Sequence, residues 1–124
     1  MRRDWRLFLG DMVGCCRKLI EYRQRTNRTE FDKRNMAFDA IVRNVEVLGE
    51  AAAKLPEHVR KLAADVPWDA IIGMRHRIAH AYFGIDPDIL WDVVDHEVPL
   101  LILELNKLQA CIDAGEIQLP ADGE

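Results

Sequence analysis

Two histidines, two arginines and a tyrosine fall within one short stretch, Arg75-His76-Arg77-Ile78-Ala79-His80-Ala81-Tyr82. Elsewhere histidine occurs only at His58 and His96. Imidazole exchanges a proton near neutral pH, and guanidinium is a permanent cation with forked donors. Three chemistries fit the set. The plainest is a solvated helix end whose cations complement the helix dipole. The second is metal binding, because His76 and His80 lie four apart and share one helical face. The glutamate of a His-Glu-x-x-His motif is missing, and no third ligand stands out. The third is metal-free cleavage of a phosphodiester. A 2′-hydroxyl attacking phosphorus needs a proton acceptor, its leaving oxygen a donor, and the phosphorane-like transition state a cation. His80 suits the proton transfers and Arg75 the phosphate.

Other polar residues are weaker candidates. Glu46 and Glu50 are four apart and could act as bases, but read better as solvated or ion-paired. Asn44 lies on an apolar stripe, so it is expected to be buried and to brace the motif helix by hydrogen bonds. Trp68 and Trp91 read as core anchors, and His96, before Pro99, as a surface residue. Arg17, Lys18, Arg23, Arg25 and Arg28 read as a solvated face with the alternative of guiding a polyanion.

The elements that must position these residues are helical almost throughout. Trp5, Phe8, Leu9, Met12, Val13, Cys16, Leu19 and Ile20 form the stripe of one long helix. Gly10 and Gly14 weaken it and suggest a close helix approach. Cys15 and Cys16 are expected as helix core and helix flank, and Thr29 to cap a turn around Phe31. A second long helix carries Ala37, Ala40, Ile41, Asn44, Val45, Leu48, Ala51, Ala52 and Leu55, and Pro56 stops it. Residues 57–64 read as a short helix. Pro67 opens the helix bearing the motif, which Phe83-Gly84 closes. Asp86-Pro87 caps and opens the last, whose stripe is Ile89, Leu90, Val93, Val94, Leu101, Leu105, Leu108 and Ile112. Pro99 is expected to kink or restart it. No alternating strand pattern appears. The reading is an all-α up-and-down bundle of four main helices with one or two short extra ones. Residues 1–115 form its single domain and 116–124 a flexible acidic tail.

Composition bounds the rest. A chain of 124 residues, 49% hydrophobic and 31% charged, is one globular domain able to bury its own core. Its net charge of −4 argues against a protein that coats nucleic acid, but not against a local basic site. The charge is polarised: +5 over residues 1–34, neutral over 35–83 and −9 over 84–124. Two terminal helices of opposite charge can pack side by side, or mark separate partner surfaces. Three cysteines, an odd number, with no leader and no apolar run long enough to span a bilayer, suggest a cytoplasmic protein with reduced thiols and no membrane partner.

Arg75-x-x-x-x-His80 resembles the Arg-x-x-x-x-His motif of the HEPN superfamily. Extended to Tyr82, it resembles the HepT toxins of MntA–HepT toxin–antitoxin modules. Asp4-Trp5-Arg6-Leu7-Phe8-Leu9, the stretches Arg43–Ala52, Pro67–Arg75 and Tyr82–Asp86, and Ile89-Leu90-Trp91 are similar to the same family. The likeness runs from about Arg3 to about Leu108.

The resemblance implies a HEPN fold, a homodimer in which two Arg/His sets form a composite cleft, and a metal-independent ribonuclease toxin needing no cofactor. Carried over, Arg75 stabilises the transition-state phosphate and His80 is the acid/base group, with His76, Arg77 and Asn44 in support. It also implies a type VII-like module, in which an MntA-like nucleotidyltransferase antitoxin transfers AMP from ATP to Tyr82. The family usually has Asn directly after the motif arginine, where this chain has His76. A protonated His76 repels Arg75, so the change points to weakened activity, a shifted pH optimum or a second acid/base group. The alternative reading is a non-catalytic helical module that docks and regulates a minimal nucleotidyltransferase.

Overall fold

A computed structural model describes residues 4–32, 35–80 and 84–115, with Arg75 and residues 77–80 described as helical backbone. Helix α1 spans Trp5–Gln24, α2 Met36–Ala53, α3 Glu57–Arg60, α4 Trp68–His80, α5 Pro87–Asp92 and α6 Val98–Asp113. A 3-10 turn, Lys61–Ala63, follows α3, and a π-helical segment, Val93–Glu97, joins α5 to α6. There is no strand among the described residues. The expected all-α bundle is therefore observed, with α1, α2, α4 and α6 as its main helices. The supposed tail, 116–124, lies outside the described residues.

Local chemistry sets most boundaries. The Asp4 carboxylate accepts from the Arg6 amide at 2.9 Å and starts α1. Asn35 accepts from the Ala37 amide at 2.7 Å and starts α2. Asp86 accepts from the Asp88 amide at 2.8 Å, with Pro87 in the first turn of α5. Each side chain satisfies an amide that the helix leaves without a partner. Asn27, not Thr29, caps the turn before Phe31, accepting from the Glu30 amide at 3.0 Å. Pro99 acts as expected. It has no N–H to bond the carbonyl four residues back, and the backbone widens to a π turn in which the Val98 amide bonds the Val93 carbonyl. Gly115, at φ +70°, follows α6 in the left-handed conformation.

The helices pack in the spatial order α4, α2, α1, α6. The core runs from Trp5 and Leu9 on α1 through Ile41 and Val45 on α2 to Leu105 and Leu108 on α6. Phe31, in the α1–α2 connection, stacks at 5.3 Å on both Phe38 of α2 and Trp91 of α5. On α2 the buried stripe is led by Phe38 and Val42, not by the expected Ala37. On α5 Ile89, expected inside, is 59% exposed.

The charge polarity is used inside the fold. Arg23 at the end of α1 donates from Nε to Asp95 at 2.7 Å, and its guanidinium lies 4.5 Å from the centre of the Trp91 ring. Arg28 pairs with Asp88. These contacts tie the basic end of α1 to the acidic segment before α6, so the two helices run antiparallel.

Gly10 and Gly14 do not mark a close approach: a Cβ added at either meets nothing within 4 Å. Gly10→Ala and Gly14→Ala are each expected to stabilise the protein by about 0.5–1 kcal/mol, measured by urea unfolding, because alanine loses less backbone entropy in a helix.

Cys15 and Cys16 are both buried, so neither is a flank residue. Burial, then the neighbouring Cys15, pushes the Cys16 thiol from 9.0 up to about 12. Burial raises Cys15 too, against the lowering effect of Lys18. The folded state therefore favours the protonated thiols. Stability from this source is full below the unfolded value of 9.0 and is lost as pH rises toward about 12. Urea titrations at increasing alkaline pH are expected to show that decline. A thiol reagent near pH 8 is expected to label the half-buried Cys111 first.

Candidate active site on α4

The motif occupies the last two turns of α4, so the start of that helix decides where the motif points. Trp68 anchors it. Its buried indole N–H donates to the carbonyls of Arg60 and Ala63, both at 3.0 Å. Asp69 in the first turn complements the positive end of the helix dipole. Ile71, Ile72 and Met74 are half-buried and pack against the core, and α2 lies along α4. The helix then presents Arg75, His76, Arg77 and His80 at its negative end, where cations are favoured. His76 is exposed.

Helical register separates the two main candidates. Arg75 and His80 are five residues apart, about 140° around the axis and about 7.5 Å along it. Arg75 follows Ile72 and the buried Trp68 at three and seven residues in the helical register. His80 follows Gly73 and the exposed His76 at seven and four residues in that register. One helical face does not carry both groups. They can act on one phosphate past the end of the helix, or across two copies of it. His76 and His80 do share a face, but among the described residues no cluster of three or more potential metal ligands forms.

The other sequence candidates fall as follows. Asn44 is half-buried, not buried, and its amide donates to the Ala40 carbonyl one turn back at 2.9 Å. That bond lies within α2. Glu46 is half-buried and Glu50 exposed. Trp68 and Trp91 are core residues as expected. His96 is at the surface, its Nδ1 2.8 Å from Asp92. Arg23, Arg25 and Arg28 are bonded to Asp95, Glu21 and Asp88, while Arg17 and Lys18 are exposed. The first three serve the fold. Tyr82 lies outside the described residues.

A feature the sequence reading missed borders the motif. An apolar groove of about 570 Å³ runs between α4 and α6, with Val45 and Leu48 of α2 at its base and Met74 and Leu101 among its walls. Asp65, Glu97 and Glu104 lie on its rim. The signal for it was present: Leu100 and Leu103 fall off the core stripe of α6, and they are 63% and 57% exposed.

Comparison with known proteins identifies the family of the chain. The family described as ribonuclease HepT-like matches residues 12–108. "Putative RNase MJ0127" of Methanocaldococcus jannaschii is 34% identical over 107 residues, 86% of this chain and 88% of that one. "Putative RNase MJ1380" of the same organism is 33% identical over 104 residues, covering 84% and 95% of the two chains. "Probable ribonuclease HepT" of Thermococcus cleftensis is 30% identical over 111 residues, 88% of this chain and 99% of that one. No solved structure gives a significant match.

Proposed function

This chain belongs to the ribonuclease HepT-like family, and from that membership we propose that it is a cytoplasmic, metal-independent RNA endonuclease, the toxin of a two-component module. The observation that carries the reading is Arg75-x-x-x-x-His80 at the C-terminal end of an anchored helix, within a family match that runs through it. In the proposed reaction the 2′-hydroxyl of RNA attacks the adjacent phosphorus. The bond from phosphorus to the 5′-oxygen breaks, leaving a 2′,3′-cyclic phosphate and a 5′-hydroxyl. A neutral His80 takes the 2′ proton and a protonated one supplies the 5′-oxygen. Arg75 neutralises the charge that builds on the non-bridging oxygens. Two copies of the chain supply two histidines, one for each transfer, and the 140° between Arg75 and His80 supports a site shared across a homodimer. Arg77 and His76 support the site. No cofactor takes part.

Neutralisation follows from the same electrostatics. A nucleotidyltransferase antitoxin of the MntA type transfers AMP from ATP to Tyr82. The tyrosine oxygen attacks the α-phosphorus, its proton passes to a base, and pyrophosphate leaves. The added phosphate beside Arg75 and His80 occupies the anion site and repels RNA. Incubating the protein with the neighbouring gene's nucleotidyltransferase and ATP is expected to raise its intact mass in steps of AMP. Tyr82→Phe is expected to show no such step, and a Tyr82→Phe protein modified as fully as wild type would remove this assignment.

A further inference from the structure

We propose that the groove between α4 and α6 docks a helix of a partner protein, one whose apolar stripe is flanked by lysines and arginines. The proposal goes beyond RNA cleavage and does not depend on it. Shape and polarity make the groove a contact site. Its floor and walls are aliphatic, from Leu48 of α2 through Ile71 and Met74 of α4 to Leu101 of α6. Leu100 and Leu103 carry the α6 wall onto the surface at 63% and 57% exposure. A trough of about 570 Å³ between two helices, apolar within, suits the anchor side chains that a helix presents at i, i+3 or i+4, and i+7. The groove also lies apart from the histidine positions. His76 follows Met74 by two residues and His80 follows it by six, about 160° and about 120° around the α4 axis. A helix in the groove and a molecule on the histidine face therefore occupy different sides of α4.

Charge then selects the occupant. Asp65, Glu97 and Glu104 stand on the rim, and no cation is among the residues that line the groove. Lys107 pairs with Glu104 at 3.4 Å, one cation beside three carboxylates, so the rim stays negative. Such a rim repels RNA and anionic lipid headgroups and attracts a basic flank. The chain's own residues 116–124 carry three carboxylates and no cation, so they do not match it. A second copy does not match it either. Among the described residues, its other exposed large apolar side chains, Leu7, Met36, Leu62 and Ile89, sit singly on separate elements and form no stripe. Its Leu100–Leu103 pair would bring two acidic rims together. The complement is a basic amphipathic helix from a different protein.

The test uses the full chain and three labelled synthetic peptides, each about four helical turns long. The first has leucines at i, i+3, i+4 and i+7 with lysines on both flanks of the stripe. The second has glutamates in place of those lysines. The third keeps the composition of the first but scatters its leucines around the helix. By fluorescence anisotropy, the first peptide is expected to bind about 10-fold or more tighter than either of the others. Leu100→Asp, at a site exposed in the single chain, is expected to keep its helical content and weaken the first peptide by about 10-fold or more. Glu97→Lys combined with Glu104→Lys is expected to turn the preference toward the glutamate peptide. A first peptide bound no tighter than the scattered one, or bound equally well by a folded Leu100→Asp protein, overturns the proposal. So does equal binding of the lysine and glutamate peptides, or an unchanged preference in the double variant. Sedimentation supplies the last check: a wild-type dimer that Leu100→Asp makes monomeric assigns the groove to a second copy and overturns the proposal.

Discussion

His80→Ala is expected to slow RNA cleavage by about 10²–10⁴-fold, the range typical for losing a positioned acid/base group. The size follows from His80 being the proton carrier in the proposed chemistry, so nothing replaces it when the imidazole is gone. The loss should appear in the single-turnover rate and leave RNA binding nearly intact, because the phosphate-binding cations remain. The fold should also survive. His80 is the last residue of α4, and the helix is held from its other end by the Trp68 indole bonded to Arg60 and Ala63. Removing a histidine from a helix C-terminus costs about 0.3–1 kcal/mol at most exposed sites. Cleavage rates and thermal melts on one preparation separate the two effects. His76→Ala should cost less than His80→Ala. Equal rates for wild type and His80→Ala would show that the proton transfer belongs elsewhere.

Phe38→Ala is expected to be the most damaging core substitution, lowering stability by about 3–5 kcal/mol. Against a total of roughly 5–15 kcal/mol for a domain, that leaves little margin. Phe38 is fully buried at the start of α2, and its ring meets Phe31 at 5.3 Å, which in turn meets Trp91 at 5.3 Å. The three rings join the α1–α2 connection, α2 and α5, so truncating one leaves a cavity that rigid neighbours on separate elements cannot fill. Arg23 lies over the Trp91 ring, and its bond to Asp95 should loosen with it. Differential scanning calorimetry should show a Tm lower by roughly 10–20 °C. A shift of only a few degrees would mean that the trio is not the centre of the core.

Much of this architecture was legible from local chemistry. Asp86-Pro87 announced α5, Pro99 announced the break that the structure resolves as a π turn, and the leucine spacing of α6 announced its buried face. The charge polarity of the chain predicted that its ends would meet, and Arg23–Asp95 and Arg28–Asp88 are that meeting. Errors came where a residue's fate depends on a distant surface. Asn44 sits on an apolar stripe, yet it is only half-buried and bonds its own helix. Gly10 and Gly14 suggested a close neighbour where none exists within 4 Å. The groove escaped notice because its walls lie far apart in sequence, and only packing on α2 and α1 sets them face to face. The motif itself was readable as residue types and spacing. Its geometry was less so: five residues along a helix turn Arg75 and His80 away from each other, and that separation is what a shared site would resolve.

The central claim is that this chain cleaves RNA through the 2′-hydroxyl without a metal. The most direct measurement incubates the purified protein with a short RNA in excess chelator, beside the same oligonucleotide carrying a single 2′-deoxy sugar at the cleaved position. The account predicts that the RNA is cut, that its new 3′ end is a 2′,3′-cyclic phosphate, and that the deoxy-substituted strand stays intact. Cleavage of both strands alike, loss of cleavage in chelator, or no cleavage at any pH between 5 and 9 would contradict it.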